Sequence, residues 1–181
     1  SYGAFDPNAP TVLAAMHASN ITADVYLFPC AGKDAAAQMT EMIEELVAAG
    51  STWRFEEVKT TILRTIWLDI ETNPSTNCGW KSNLTENCVF IGDLITQGQK
   101  LGYSVGIYSS LHMWTQIPGL PCSVGSQLDT NLWYAHYDFK ANCSDWTPYG
   151  GWTQPYAKQY SDKGGDCNTS YDINVICSSV E

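Results

Sequence analysis

The sequence predicts an α/β protein with a parallel sheet, and the alternation of two kinds of segment supports this. Short apolar runs rich in β-branched and aromatic residues alternate with longer segments in which apolar residues recur at helical spacing. Parallel β/α units are built from strands and helices in this order. A length of 181 residues suits one domain with a sizeable core, and no shift in composition marks a linker. We therefore expect a single domain over residues 1–181.

Six apolar runs are predicted to be strands, and three segments between the earlier runs are predicted to be helices. The first helix follows a DPNAP motif, in which Asp6 or Asn8 can cap the helix and the prolines suit its first turn. The second begins after a capping Asp34 and ends at Gly50, and the third stops near Gly102. The predicted strands are 23–28, 65–71, 104–109, 132–137, 157–161 and 171–176, and the predicted helices are 9–19, 34–49 and 85–100.

The charge balance restricts the partners of the protein. The chain carries 19 acidic and 9 basic residues, for a net charge of -10. An acidic protein is repelled by nucleic acids and by anionic membranes, so neither is expected as a partner. No apolar run is long enough to span a bilayer. We expect a monomer with no membrane partner.

Seven cysteines and four glycosylation sequons indicate an oxidising, secretory environment. The cysteines form no CxxC pair and have no histidine nearby at zinc-ligand spacing, so disulfides are the better explanation. The odd count leaves one cysteine either free or paired outside this chain. We expect a secreted, lysosomal or phagosomal protein. The sequons begin at Asn20, Asn83, Asn142 and Asn168.

The most informative segment is IWLDIET, in which two acids interrupt an apolar, β-prone run. Side chains two positions apart on a strand point to the same face, so Asp69 and Glu71 would face one site together. Two carboxyl groups in one site drive their pKa values apart, so one can act as an acid while the other stays ionised. Glycosidic bond cleavage requires such a pair. The alternative is an edge strand with both acids in water, which the apolar opposite face and the neighbouring Trp67 disfavour.

Other predicted strands also end in polar or aromatic residues. In parallel α/β barrels the carboxyl ends of the strands build the active site. A tyrosine near a strand end more often packs in the core than binds a ligand, but several such ends would converge on one rim. The residues concerned are Tyr26, Tyr108, His136, Tyr137, Gln159, Tyr160 and Asp172.

Several phrases, in the same order along nearly the whole chain, resemble glycoside hydrolase family 25, the Chalaropsis-type lysozymes, and in particular its protist and nematode branch. The resemblance implies an irregular, TIM-like β/α barrel that hydrolyses the β-1,4 bond between N-acetylmuramic acid and N-acetylglucosamine of peptidoglycan. The phrases are FDPNAP at 5–10, DVYLFPC at 24–30, IWLDIET at 66–72, VGIYSS at 105–110, LWYAHYD at 132–138, GGWTQPYAKQY at 150–160 and YDINV at 171–175.

The resemblance also implies roles for individual residues. Glu71 matches the general acid, Asp69 the neighbouring carboxylate and Asp172 a third acidic residue near the last strand. For the aromatic positions, core packing and sugar contact remain equally open. No metal or organic cofactor is implied, and the partner is the glycan strand of peptidoglycan. The predicted substrate-binding residues are Tyr26, Tyr108, Trp133, Tyr134, His136, Gln159 and Tyr160.

One departure from the family concerns the start of the chain. Family members open with a strand that carries an Asp-x-Ser phrase and then a second strand, whereas this chain starts at Ser1 without either. We therefore expect an N-terminally incomplete barrel from a longer protein, with open sheet edges. Two alternatives to the lysozyme stay open: a glycan-binding barrel or fragment without activity, and a hydrolase of chitin.

The resemblance leaves two routes for the reaction. The closeness of the two acids and the 2-acetamido group of muramic acid favour a substrate-assisted, retaining route, in which Asp69 orients the acetamide. Asp172 acting as a base on water from the far side would give inversion instead. We expect an acidic pH optimum, since protonation both keeps Glu71 in its acid form and reduces repulsion from an anionic cell wall.

Overall fold

The computed structural model describes residues 4–49, 63–166 and 168–177, and these form an α/β fold around one curled, half-barrel sheet. The six strands lie in chain order, the first five parallel and the sixth antiparallel to the fifth. The predicted fold class is confirmed. The strands are β1 (Ala23–Leu27), β2 (Leu63–Asp69), β3 (Ser104–Ser109), β4 (Asn131–Ala135), β5 (Ala157–Asp166) and β6 (Thr169–Ile176). The helices are α1 (Ala9–Ala18), α2 (Ala35–Ala49), α3 (Leu84–Lys100), α4 (Leu111–Gln116) and α5 (Val124–Gln127).

All six predicted strands and three predicted helices are present, with shifted ends. The side chain of Asp34 accepts the backbone N–H of Ala37 at 2.7 Å and so caps α2 as predicted. Asn8 occupies the N-cap of α1 but makes no side-chain capping bond. The predicted end of the second helix at Gly50 lies outside the described residues. The short helices α4 and α5 were not predicted, because neither is long enough to show helical periodicity.

The main core lies between the sheet and the helices α2 and α3. Ile66, Leu68 and Ile70 are fully buried there and pack with residues such as Met39 and Leu94 of the two helices. Because β2 is paired with β1 on one side and with β3 on the other, it is an inner strand. The alternative of an edge strand with both acids in water is therefore wrong.

The concave face of the sheet carries aromatic rings. Trp67 lies there, with its ring centroid 5.6 Å from that of Trp133, and its indole N–H donates to the Asp24 carboxylate at 2.9 Å. Gly106 of β3 lies under the Trp67 ring, where an added Cβ would be 2.4 Å from the ring carbon Cε3. The aromatic floor, meaning Trp67, Trp133 and Tyr108 beside them, thus depends on a residue without a side chain at position 106.

Three disulfides tie the loops to the sheet and helices, which confirms the predicted use of the cysteines. They are Cys30–Cys78, Cys88–Cys122 and Cys143–Cys177. The seventh cysteine, Cys167, lies outside the described residues. The asparagines of all four sequons are exposed, and their glycosylation stays a prediction. Among the described helices, none combines the length and the apolar character needed to cross a membrane.

Candidate active site

The two acids of the IWLDIET segment lie at the carboxyl end of β2. Strand β2 ends at Asp69, and the backbone N–H of Ile70 still donates to the carbonyl of Tyr108 at 2.8 Å. The chain then bends, so Glu71 lies just beyond the strand and the predicted strand end at residue 71 is two residues too long. The indole N–H of Trp80 donates to the carbonyl of Glu71 at 2.7 Å and fixes this bend.

The pair is half-buried and lacks a cation. Burial and, to a smaller extent, the charge of Glu71 raise the pKa of Asp69 to about 7, and burial also raises the pKa of Glu71. The Oδ1 atom of Asp69 is buried, and no hydrogen-bond partner for it is found in the described part of the chain. No ion pair among the described residues includes either acid. Burial therefore keeps the Asp69 carboxyl group protonated up to about neutral pH and favours the neutral form of Glu71 as well.

The third acid, Asp172 of β6, connects to the aromatic floor through Gln159 of β5. The Gln159 amide nitrogen donates to Asp172 Oδ2 at 2.9 Å. Its amide oxygen accepts the hydroxyl groups of Tyr108 at 2.5 Å and of Tyr137 at 2.6 Å. Burial first and then the charge of Glu71 raise the pKa of Tyr108, so the phenol lies within the field of the acid pair. The structure therefore brings the three predicted acids into one cleft.

Two further predicted residues lie on the same face. Tyr26 of β1 is paired in register with Trp67, and its side chain is 68% exposed. Trp133 of β4 is half-buried, its ring centroid lies 4.7 Å from that of Tyr108, and its indole donates to Asn174. An exposed tyrosine and a half-buried tryptophan on a concave face can stack on sugar rings.

Tyr134 and His136 lie on the other face of the sheet. Tyr134 is buried in the core, its ring lies tilted against that of Trp146 with the two centroids 5.1 Å apart, and its hydroxyl donates to Asp145 at 3.1 Å. The imidazole of His136 bonds the other carboxylate oxygen of Asp145 at 2.5 Å. Successive strand residues point to opposite faces, so Tyr134 is directed away from the cleft that Trp133 lines. Of the two possibilities left open for Tyr134, the structure shows core packing. Tyr134 and His136 both lie outside the candidate site.

No contact found among the described residues places Tyr160 in the cleft. The register of β5 against β6 shifts between Gln159 and Ser161, as at a β-bulge, so the alternation of faces is interrupted at Tyr160. Its side chain is half-buried, and its carbonyl accepts the backbone N–H of Phe139 at 3.0 Å. Both strands of this hairpin are longer than predicted, since 157–161 and 171–176 were expected and β5 spans Ala157–Asp166 and β6 spans Thr169–Ile176.

Tyr137 reaches the cleft, although it was not among the predicted substrate-binding residues. It follows β4, its side chain is 46% exposed, and its hydroxyl reaches Gln159 inside the cleft. Its position after a predicted strand was the available signal. The predicted strand ran through residue 137, whereas β4 ends at Ala135. The two extra residues lie in a loop, which allows Tyr137 to turn into the cleft.

One group of side chains has the composition of a metal site. His136, Asp138 and Asp145 offer ligand atoms within 4.8 Å of one another. The Lys158 ammonium already bonds Asp138 at 2.8 Å and Asp145 at 2.7 Å, and its side chain is fully buried. A divalent ion at this place would have to share the two carboxylates with a buried positive charge, which is unfavourable.

A curled parallel sheet with a half-buried pair of acids at the end of an inner strand, beside an aromatic floor, has the features of a glycoside hydrolase. The family model described as Lysozyme-like protein 1 matches residues 1–160. The chain is 35% identical over 176 residues to Probable GH family 25 lysozyme 2 of Dictyostelium discoideum. The aligned residues make up 96% of this chain and 74% of the relative. The chain belongs to the glycoside hydrolase family 25 lysozymes, so the predicted family and enzyme class are confirmed.

Two other comparisons add to this result. Counting factor 45-1 of Dictyostelium discoideum is 34% identical over 182 residues, which is 99% of this chain and 56% of that protein. The bacterial lysozyme from Streptomyces coelicolor superimposes with a TM-score of 0.72 at 21% identity, covering 97% of this chain and 76% of that chain. At this identity the structural match supports the fold alone.

Proposed function

We propose that the chain is a lysozyme that hydrolyses the β-1,4 bond between N-acetylmuramic acid and N-acetylglucosamine in bacterial peptidoglycan. In this proposal Glu71 is the general acid, Asp69 assists it, and Asp172 completes the acidic cleft. The observation that carries the proposal is the half-buried Asp69–Glu71 pair, with raised pKa values and no cation beside it among the described residues. Such a pair holds a proton where an exposed carboxyl group would have lost it.

The chemistry follows from the positions of the two acids. Glu71, just past the strand end, donates the proton held by the acid pair to the glycosidic oxygen as the glycosidic bond breaks. The sugar then develops the positive charge of an oxocarbenium-like transition state. Asp69, deeper in the strand, keeps a carboxyl group beside Glu71 and serves as partner for the acetamide of the muramic acid. This supports a substrate-assisted route with retention at the anomeric carbon.

The stereochemistry of the product tests whether Asp172 acts as a base. As a base acting on water it would produce inversion, whereas acetamide participation produces retention. Proton NMR of the newly formed reducing end, recorded before mutarotation, distinguishes the two anomers. We expect the β-anomer first, and an initial α-anomer would replace the substrate-assisted route with a base-catalysed one.

Product analysis tests the activity itself. The folded chain and its Glu71→Gln variant are incubated with purified Gram-positive peptidoglycan at mildly acidic pH, and the products are examined by mass spectrometry. We expect muropeptides with a reducing muramic acid end from the unmodified chain alone. Glu86→Gln is the matched control, because Glu86 is an exposed residue of α3 whose carboxylate pairs with Lys81 at 2.9 Å. Cleavage of chitin oligomers but not of peptidoglycan would replace the muramidase with a chitin hydrolase.

The pH dependence of the rate follows from the proton held by the Asp69–Glu71 pair. Because the pKa of Asp69 is raised to about 7 and that of Glu71 is also raised, the pair loses its proton as the pH rises through neutrality. The acid form, and with it the rate, therefore falls above pH 7. The net charge of -10 acts in the same direction, since acidification weakens repulsion from an anionic cell wall. A rate maximum above neutrality in a pH–rate profile would contradict the proposal.

A second candidate is a barrel that binds wall glycans without cleaving them. The similarity to Counting factor 45-1, a relative whose name is not that of a hydrolase, favours this candidate. Saccharide binding by the unmodified chain without any product would establish it. We further propose a monomer that acts outside the cell or in a lysosomal or phagosomal compartment, for which the three disulfides and the exposed sequon asparagines are the support.

A further inference from the structure

The Gln159 side chain uses both ends of its amide within the protein. Its oxygen accepts two phenol hydroxyls, from Tyr108 at 2.5 Å and Tyr137 at 2.6 Å, and its nitrogen donates to Asp172 at 2.9 Å. The residue is only 4% exposed. An amide oxygen has two lone pairs, and both are used by the two phenols. Gln159 therefore has little capacity left to bind a sugar, although the sequence predicted it as a substrate ligand.

The orientation of this amide is determined by its three neighbours. Both phenol hydroxyls donate to the amide oxygen, and they also interact with each other. The Asp172 carboxyl oxygen Oδ2 accepts from the amide nitrogen. The reverse orientation would place the amide oxygen against the Asp172 carboxylate, and these two acceptors would repel each other.

The same bonds determine what the phenols offer to a ligand. Each hydroxyl hydrogen points to Gln159, so each phenol oxygen keeps only acceptor capacity towards the cleft. If the Tyr108 hydroxyl were free, it could donate to the nearby acid pair and lower the pKa of Glu71 by stabilising its ionised form. Occupying that hydroxyl is consistent with the raised pKa values of the acid pair.

We propose that Gln159 is a positioning residue, which holds the Asp172 carboxyl group in place and makes the oxygens of Tyr108 and Tyr137 acceptors for the hydroxyl and acetamide N–H donors of the glycan. This inference rests on the proposed function, because it names the ligand groups of the same cleft. Gln159 itself contacts no substrate. Its effect on the reaction passes through Asp172 and the two tyrosines.

Replacement of the amide by a carboxyl group is the sharpest test. In Gln159→Glu the ionised carboxyl group at the buried position 159 faces the exposed Asp172, so two negative charges meet there. When the new carboxyl group is protonated, its carbonyl accepts and its O–H donates, which reproduces the amide. The charged groups that face position 159 are acidic: Asp172 directly, Glu71 and Asp69 through their action on Tyr108, and Asp162 through Tyr137. The new group should therefore be protonated at mildly acidic pH.

The rate experiment compares Gln159→Glu with Gln159→Met on peptidoglycan as a function of pH. We expect kcat of Gln159→Glu to fall about 100-fold at neutral pH, as for a misplaced catalytic group, and to recover most of this loss on acidification. Gln159→Met has no group that titrates and should stay low at every pH. Equal pH profiles for the two variants, or unchanged kcat in Gln159→Met, would overturn the proposal.

A stability cycle gives a readout that does not depend on activity. Gln159→Glu and Asp172→Asn should each lower the Tm at neutral pH, the first by roughly 5 °C. The double variant exchanges the donor and the acceptor, so its Tm should return close to that of the unmodified chain. Gln159→Met with Asp172→Asn should show no such recovery. Additive losses in the Gln159→Glu double variant would overturn the proposal. If the unmodified chain releases no muramic acid ends, the proposed function fails, while this cycle still decides the role of Gln159.

Discussion

Two acidic clusters lie on opposite faces of the sheet, and they differ in what surrounds their carboxyl groups. On the concave face, Asp69 and Glu71 are half-buried and no ion pair of the described residues includes them. On the other face, a second group, here called the lysine cluster, consists of Asp138 and Asp145 around the Lys158 ammonium, with His136 and Tyr134 bonded to Asp145.

The two clusters shift the pKa of their acids in opposite directions. Burial, then the charge of Glu71, raises the pKa of Asp69 to about 7. Burial also works to raise the pKa of Asp145, but hydrogen bonds from His136, Lys158 and Tyr134 together hold it well below its ordinary value. The acids of the lysine cluster are therefore held in their ionised form and are poorly suited to supply a proton. The uncompensated pair reduces stability when it ionises, and can act as an acid for the same reason.

The largest expected effect separates activity from stability at the uncompensated pair. Asp69→Asn should lower kcat on peptidoglycan by about 1,000-fold, because the neighbouring carboxyl group is lost. The same change should raise the free energy of unfolding above neutral pH by roughly 2 kcal/mol, since a half-buried charge with no ion-pair partner among the described residues disappears. Kinetics on peptidoglycan and urea denaturation measure the two quantities.

Asp93→Asn, an exposed change on α3, is the control for Asp69→Asn and should alter neither quantity appreciably. A destabilised Asp69→Asn variant would show that the Asp69 carboxylate has a stabilising partner after all. The comparison between the two clusters would then be wrong.

The next effect concerns the lysine cluster. Lys158→Met should lower the free energy of unfolding by about 3 kcal/mol, because two partly buried carboxylates lose their cation, while kcat per folded molecule at low temperature stays near that of the unmodified chain. Lys81→Met is the matched control. The Lys81–Glu86 pair is more than half exposed on both sides, so its loss should leave the free energy of unfolding almost unchanged. A large fall in kcat with little change in stability would assign Lys158 to the active site.

The smallest effect is in the pH dependence of stability, where the two clusters act with opposite sign. The folded pKa of Asp69, about 7, lies above its ordinary 3.8, so the folded state binds a proton first and stability rises as the pH falls through this interval. The folded pKa of Asp145 lies below 3.8, so its contribution is present above that pH and is lost as the pH falls further.

Urea denaturation across pH distinguishes these contributions. Asp69→Asn should flatten the curve between neutrality and about pH 4, and Asp145→Asn should flatten it below about pH 4, each by on the order of 1 kcal/mol. If both variants flattened the same interval, the opposite signs assigned to the two clusters would be incorrect.

Local pattern determined the main features of the fold. The alternation of β-prone and helix-periodic segments predicted all six strands, and the apolar residues around Asp69 and Glu71 predicted that this strand is buried on one face. Both inferences succeed because strand and helix periods are properties of neighbouring residues. Local pattern also brought Asp172 to the predicted site, through the phrase near the last strand.

Only the tertiary structure decided which polar groups serve the cleft. The bond between Tyr108 and Gln159 joins residues 51 positions apart, and those between Lys158 and its two aspartates cross from β5 to the loop after β4. Tyr134 was predicted beside Trp133 in the site, yet it packs in the core, because neighbours on a strand face opposite ways and the curvature of the sheet determines which face is the cleft. Whether a carboxyl group becomes an acid or a structural anion depends on a cation brought close by folding, and sequence spacing does not record that distance.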